Sequence, residues 1–152
     1  MTHSDSIGRG RTNYIHRVAL DDPPGERFEQ IWTYTEDQET FELCCILFFP
    51  YGISYGDRLR MPEDGRFQVV EKRGHQTIRV IIHDARYAHE RHAEFHALIA
   101  GAGVRSETSG HASTYWALDI ADDAQAEAVI RALTPLSEMR TLDWEWADPL
   151  VE

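Results

Sequence analysis

The first half of the chain alternates apolar and polar residues over short stretches, and turn-forming residues separate these stretches. Such alternation is typical of β-strands, because successive side chains of a strand point to opposite faces. It predicts strands over residues 14–20, 27–35, 40–48, 57–60 and 67–72. The apolar run 43–49 does not alternate, so both of its faces should be covered. Residues 14–74 are therefore predicted to form a β-rich unit, either a small β-barrel or a curved antiparallel sheet.

The second half has a different rhythm, with helical periodicity between its strands. The pattern predicts strands over 77–83, 104–108, 113–120 and 141–147, a helix over 85–100, and a helix from Asp122 or Asp123 that stops near Pro135. The order β-α-β-β-α-β is that of a ferredoxin-like unit, which we assign to residues 75–148. The whole is thus an α+β protein, with flexible tails predicted at 1–13 and 149–152.

Alternation also separates the side chains of the predicted second sheet into two faces. The apolar face should pack against the helices. The other face, here called the polar sheet face, carries Thr77, Arg79, His83, Tyr115, Asp119, Asp143 and Glu145. A polar face of this kind can meet the N-terminal unit or form the floor of a pocket, so a cleft between the two halves is predicted.

Charge and cysteine content narrow the functional classes. The chain has 152 residues and a net charge of −11, which disfavours binding to nucleic acid or to an anionic membrane surface. The longest apolar run, residues 43–51, is too short to cross a bilayer as a helix. Its two cysteines, Cys44 and Cys45, are adjacent and are interpreted as reduced packing thiols, which favours a cytoplasmic location.

Residues 51–57 contain two glycines and two tyrosines within seven positions. Glycine permits backbone conformations that side chains forbid, so the chain should turn sharply here. The loop would then present Ser54, Tyr55 and Asp57 from a constrained backbone. These residues can wall a pocket or supply a hydroxyl, a phenol and a carboxylate.

A second cluster follows at residues 74–79, where Gly74 interrupts a long apolar pattern and predicts a bend. His75 could act as a general base, because its ordinary pKa lies near neutrality. Arg79 could hold a carboxylate or a phosphate through two parallel hydrogen bonds. A structural alternative is a hinge in which both side chains bond to neighbouring groups.

Other candidate chemistry is weaker. A Ser54–His75–Asp57 triad is conceivable, yet no nucleophile-elbow motif supports it. His92 and His96 lie four residues apart on the predicted helix and are weak candidates for metal ligands, whereas an exposed polar flank is the favoured interpretation. The sequence predicts no metal and no cofactor.

The segments 49–57 (FPYGISYGD) and 69–79 (VVEKRGHQTIR) resemble the bacterial family called domain of unknown function 4265. The resemblance covers most of the chain, from about Tyr14 to Trp146. It implies a small cytosolic bacterial protein with no assigned activity. It supplies no catalytic residues.

Three functional hypotheses follow. The first is binding of a small anionic ligand or a peptide in the cleft, at Ser54, Tyr55, His75, Thr77 and Arg79. The second is a small acid–base enzyme, a hydrolase or isomerase, in which His75 is the base and Tyr55 or Asp57 assists. The third is an acidic inhibitor or immunity-type protein for a basic partner. Exposed strand edges would also permit a homodimer.

Overall fold

Two antiparallel sheets and the helices that cover the second one make up the described part of the chain. The structure is a computed structural model, and it describes residues 3, 6–20, 26–64, 66–109 and 113–148. The predicted tail 149–152 lies outside the described residues. Within the described residues, no helix is both long and apolar enough to cross a membrane.

The first sheet has five strands in the order in which they follow along the chain. These are β1 (Tyr14–Ala19), β2 (Phe28–Tyr34), β3 (Phe41–Leu43), β4 (Arg58–Arg60) and β5 (Gln68–Glu71). Because β1 and β5 are the two edges of this sheet, the sheet is open. Of the two predicted alternatives, the closed barrel is therefore wrong and the antiparallel sheet is confirmed.

The second sheet is built from the other half of the chain, in the order β7-β8-β6-β9. Its elements are β6 (Gln76–Ile82), α1 (Ala85–Glu90), α2 (His92–Gly101), β7 (Arg105–Ser109), β8 (Tyr115–Ile120), α3 (Asp123–Glu138) and β9 (Leu142–Trp146). The helix predicted over 85–100 is thus two helices that meet at Arg91. Helix α3 does not stop near Pro135 as predicted but continues to Glu138. Proline has no N–H to donate to the carbonyl four residues earlier, but Pro135 is exposed, so water can donate to that carbonyl instead.

Each sheet has its own apolar core. One core lies between the second sheet and its helices. It is formed by apolar side chains of β6, α2 and α3, including Ile78, Val80, Ile82, Phe95, Ile99, Val129 and Leu133. The first sheet buries a separate cluster that includes Ile31, Leu43 and Leu59. The polar sheet face is consequently left to meet the chain that leaves β3.

The segment that leaves β3 is not the strand that the sequence predicts. The strand predicted over 40–48 ends at Leu43, although residues 44–48 are all buried. Cys44 N–H still donates to the carbonyl oxygen of Trp32 on β2, at 2.8 Å. Beyond Cys44, carboxylates accept from several of the backbone N–H groups. Ile46 donates to Glu107 at 3.1 Å, and Phe48 and Phe49 donate to Glu29 at 2.8 Å and 2.9 Å.

Glu29 of β2 and Glu107 of β7 also share the imidazole of His3, and we call these three residues the His3 cluster. Nδ1 of His3 lies 2.5 Å from Glu107, and Nε2 lies 3.1 Å from Glu29. All three residues are buried. His3, which lies in the predicted flexible tail, thus contacts both sheets. A cation at this position offsets the cost of burying two carboxylates.

The pKa of His3 reflects opposing effects. Burial by itself lowers the pKa of the imidazole, but hydrogen bonds with Cys45, Glu107 and Glu29 outweigh it and raise the pKa to about 12. At neutral pH His3 is therefore a buried cation between two carboxylates. The adjacent Cys44 and Cys45 are both free thiols and both buried.

Candidate functional site

The loop between β3 and β4 crosses the polar sheet face and is fastened to it by side chains of β6 and β9. The guanidinium of Arg79 donates to the carbonyl oxygens of Phe49, at 2.7 Å, and of Pro50. The Thr77 hydroxyl donates to Ser54 at 3.1 Å. Gly52 and Gly56 have φ values of 75° and 82°, so the predicted sharp turns occur at both glycines.

Arg79 is the most unusual group of this loop–sheet contact. Only 8% of the residue is exposed, and the ring of Tyr51 lies 4.5 Å from its guanidinium carbon. The nearest carboxylate oxygen, of Glu145, is 3.8 Å away, which is beyond hydrogen-bonding distance. Nε is buried and has no hydrogen-bond partner among the described residues. Burial lowers the pKa of this guanidinium, as expected of a charge that the protein compensates only in part.

A cavity of about 380 Å³ lies beside Arg79. Apolar and aromatic residues form most of its lining, and three charged residues complete it. The lining residues are Phe48, Phe49, Tyr51, Val80, Ile81, Tyr115, Trp144, Arg79, Asp143 and Glu145. A cavity with aromatic walls and a few convergent polar groups is typical of small-molecule sites.

Tyr51 and Glu145 stand together at this cavity. The Tyr51 hydroxyl donates to the Glu145 carboxylate at 2.7 Å, and this hydrogen bond raises the pKa of the phenol. The phenol therefore remains a donor at neutral pH. Tyr51 is 56% exposed, so the cavity wall that it forms borders on solvent.

Ser54 and Asp57 form hydrogen bonds that hold the loop between β3 and β4 in place. The Ser54 hydroxyl donates to Asp148 at 2.9 Å, and Ser54 N–H donates to Asp57 at 2.9 Å. Asp57 also accepts from Arg73 N–H at 2.8 Å and pairs with Lys72 at 3.0 Å. Ser54, Asp57 and Thr77 are all buried, and none of them lines the cavity beside Arg79.

A separate polar cluster surrounds His75. Its Nδ1 lies 2.6 Å from Asp119, which Arg105 also binds at 3.0 Å through Nε. The Tyr55 ring contacts the imidazole edge-on at 5.6 Å and lies 4.4 Å from the Arg105 guanidinium carbon. The His75 side chain is 26% exposed, and it does not line the cavity beside Arg79.

A family model described as "Domain of unknown function (DUF4265)" matches residues 29–144. The chain belongs to this family. The resemblance predicted from the sequence is thereby confirmed. The match includes most of the cavity, namely Phe49, Tyr51, Arg79, Tyr115 and Trp144, whereas His3 and Glu145 lie outside it.

The fold of this family member also occurs in a solved structure. A hypothetical protein from Neisseria gonorrhoeae, known from its crystal structure, superposes with a TM-score of 0.67 at 16% sequence identity. The alignment covers 88% of this chain and 93% of that chain. At this identity the likeness concerns the fold alone. No curated protein matches the chain.

The structure separates the residues that sequence analysis groups into one site. Arg79 lines the cavity, and Ser54 and Thr77 lie in the buried loop–sheet contact. Tyr55 and His75 belong to the separate polar cluster that contains Asp119 and Arg105. The Ser54–His75–Asp57 triad is not assembled, because the three side chains have different hydrogen-bond partners.

The weak metal candidates lie on the other side of the second sheet. The rings of His92 and His96 stack at 6.5 Å between centroids, and both lie near the Trp116 ring. No group of three or more potential metal ligands occurs among residues 3, 6–20, 26–64, 66–109 and 113–148.

Phe49 and Trp144 line the cavity but were not predicted as site residues from the sequence. Alternation did place Arg79, Tyr115, Asp143 and Glu145 on one sheet face. The missing signal was the fold of the loop, which brings Phe49 and Tyr51 over that face.

Proposed function

We propose that this protein is a non-catalytic binding protein for a small molecule with an anionic group, and that the cavity beside Arg79 is its site. The observation that carries the proposal is the buried, incompletely paired guanidinium of Arg79 at an aromatic cavity. Buried charges are normally paired with an opposite charge, since their desolvation is costly. A bound carboxylate or phosphate would supply the charge that the protein does not.

The aromatic walls support the same proposal. Phe49, Tyr115 and Trp144 are partly exposed, and the cavity volume of about 380 Å³ is at the small end of the range for small-molecule sites. A ligand with an apolar body and one anionic group would bury its body against these walls. The Phe49 ring lies 5.8 Å from that of Tyr115, so both rings belong to one wall.

An Arg79→Gln variant should bind 3-phenylpropionate about 10- to 100-fold more weakly than the wild type, because a hydrogen bond to a charged group contributes about 1.5–3 kcal/mol. The probe combines an aromatic ring with a carboxylate, and calorimetric titration gives the affinities. Arg105→Gln is the matched control, since Arg105 binds Asp119 outside the cavity and its loss should leave affinity unchanged. Equal affinity in the wild type and Arg79→Gln would remove the proposal.

A second candidate function is acid–base catalysis at His75. The Asp119 carboxylate, 2.6 Å from Nδ1, orients the imidazole as a general base requires, and Nε2 has no hydrogen-bond partner among the described residues. Tyr55 is adjacent, whereas Asp57 is engaged elsewhere. If this function holds, turnover of a small ester should be abolished in His75→Gln and retained in Arg79→Gln.

We also propose that residues 75–148 form a ferredoxin-like unit. The strand order β7-β8-β6-β9, with helices between β6 and β7 and between β8 and β9, supports this assignment. Buried free thiols at Cys44 and Cys45 support a reducing, cytoplasmic setting. The net charge of −11 supports a small-molecule or peptide ligand over nucleic acid or membrane, and a homodimer through strand edges remains a proposal.

A further inference from the structure

The charges around the proposed cavity are not those of a simple anion site. Arg79 brings one positive charge, and Asp143 and Glu145 bring two carboxylates. The Arg79 side chain is 9% exposed, whereas those of Glu145 and Asp143 are 53% and 72% exposed. The cation is therefore buried and the carboxylates lie nearer to solvent.

These carboxylates are only partly engaged by the protein. Glu145 accepts from the Tyr51 hydroxyl, and Asp143 lies 3.1 Å from Nε2 of His83. Each still has the capacity to accept further hydrogen bonds, because an ionised carboxylate has about four acceptor sites. A purely anionic ligand would gain from Arg79 and be repelled by both carboxylates at close range.

A ligand that carries both charges would match this arrangement. Its carboxylate would contact Arg79, and its ammonium group would lie toward Glu145 and Asp143. Its apolar side chain would pack on Phe49 and Tyr115. The geometry points to a free α-amino acid with an aromatic or other apolar side chain as the ligand class, an inference that rests on the proposed binding function.

Three probes with one phenyl ring separate this inference from the proposed function. They are phenylalanine, 3-phenylpropionate, which lacks the ammonium group, and 2-phenylethylamine, which lacks the carboxylate. Calorimetric titration of the full chain should rank phenylalanine first, by about 5- to 10-fold over 3-phenylpropionate, with 2-phenylethylamine weakest.

Each other result overturns a defined part of the account. If 3-phenylpropionate binds as well as phenylalanine or better, the amino-acid inference is wrong and anion binding stands. If neither carboxylate probe binds, or if 2-phenylethylamine binds best, both proposals are wrong.

A variant pair tests the role of the acidic rim. Glu145→Gln keeps an acceptor for the Tyr51 hydroxyl but removes the charge. It should reduce the preference for phenylalanine over 3-phenylpropionate, whose own affinity should not fall, while Asp143 still contributes its charge. Glu127→Gln, on the exposed surface of α3, is the matched control and should keep the wild-type ranking. An unchanged preference for phenylalanine in Glu145→Gln would contradict a role for the Glu145 charge.

Discussion

A Glu29→Ala variant should be less stable than the wild type by about 3–5 kcal/mol, because it removes one of the two carboxylates that pair with the buried His3 imidazolium and the acceptor of two backbone N–H groups. Glu29 is fully buried and accepts from Phe48 N–H, Phe49 N–H and His3. No other described carboxylate accepts hydrogen bonds from those two backbone groups. Phe49 also lies in the loop between β3 and β4, and its carbonyl oxygen accepts from Arg79 of the second sheet.

Chemical denaturation of the two proteins measures this loss. Glu127→Ala is the matched control, since an exposed glutamate should change stability by less than about 0.5 kcal/mol. If Glu29→Ala does not fold, Glu29→Gln provides a milder test. Loss of the carboxylate charge beside the imidazolium should still make this variant less stable than the control. A Glu29 variant as stable as its control would show that the His3 cluster does not hold the two sheets together.

The second large effect is the dependence of stability on pH. The pKa of His3 is raised in the folded protein from 6.5 to about 12, so the folded state holds its proton more tightly than the unfolded state. Its contribution to stability is therefore complete below about pH 6.5 and is lost progressively as the pH rises toward about 12. The loss per pH unit within this window is at most about 1.4 kcal/mol.

Unfolding measured at about pH 7 and about pH 10 tests this linkage. The wild type should lose at least about 2 kcal/mol more over this interval than His3→Asn, which has no titrating imidazole at that position. His89→Asn, on the exposed surface of α1, should behave as the wild type. Parallel pH profiles in the wild type and His3→Asn would mean that folding does not raise the pKa of His3.

The sheets could be predicted from the sequence where alternation decides which face is buried. Ile78, Val80 and Ile82 pack against the helices, while Thr77 and Arg79 face the loop, as their spacing predicts. The strand prediction failed for residues 44–48, which form an apolar run without alternation, because the N–H groups of Ile46 and Phe48 donate to Glu107 and Glu29 and not to a neighbouring strand. Those carboxylates are distant along the chain, and local patterns do not report such partners.

The candidate site was predictable only in part, for the same reason. Arg79 was recognisable as a cation on the polar sheet face, and its position at a cavity depends on one loop folding over that face. His75 directly precedes β6, the strand that carries Arg79, but it pairs with Asp119 of β8 and does not line the cavity. His3 contacts Glu107, which lies 104 positions later in the chain. The polar segment around His3 has no local pattern that predicts this contact.

The proposed function requires that the Arg79 guanidinium contacts the anionic group of a ligand. Nuclear magnetic resonance of the protein with ¹⁵N-labelled arginine observes each Nε–H group, and the Arg79→Gln variant assigns the Arg79 signal. We expect this signal to shift when 3-phenylpropionate is added, while that of Arg105 stays in place. An Arg79 signal that remains unchanged up to the solubility limit of the probe would contradict anion binding at Arg79.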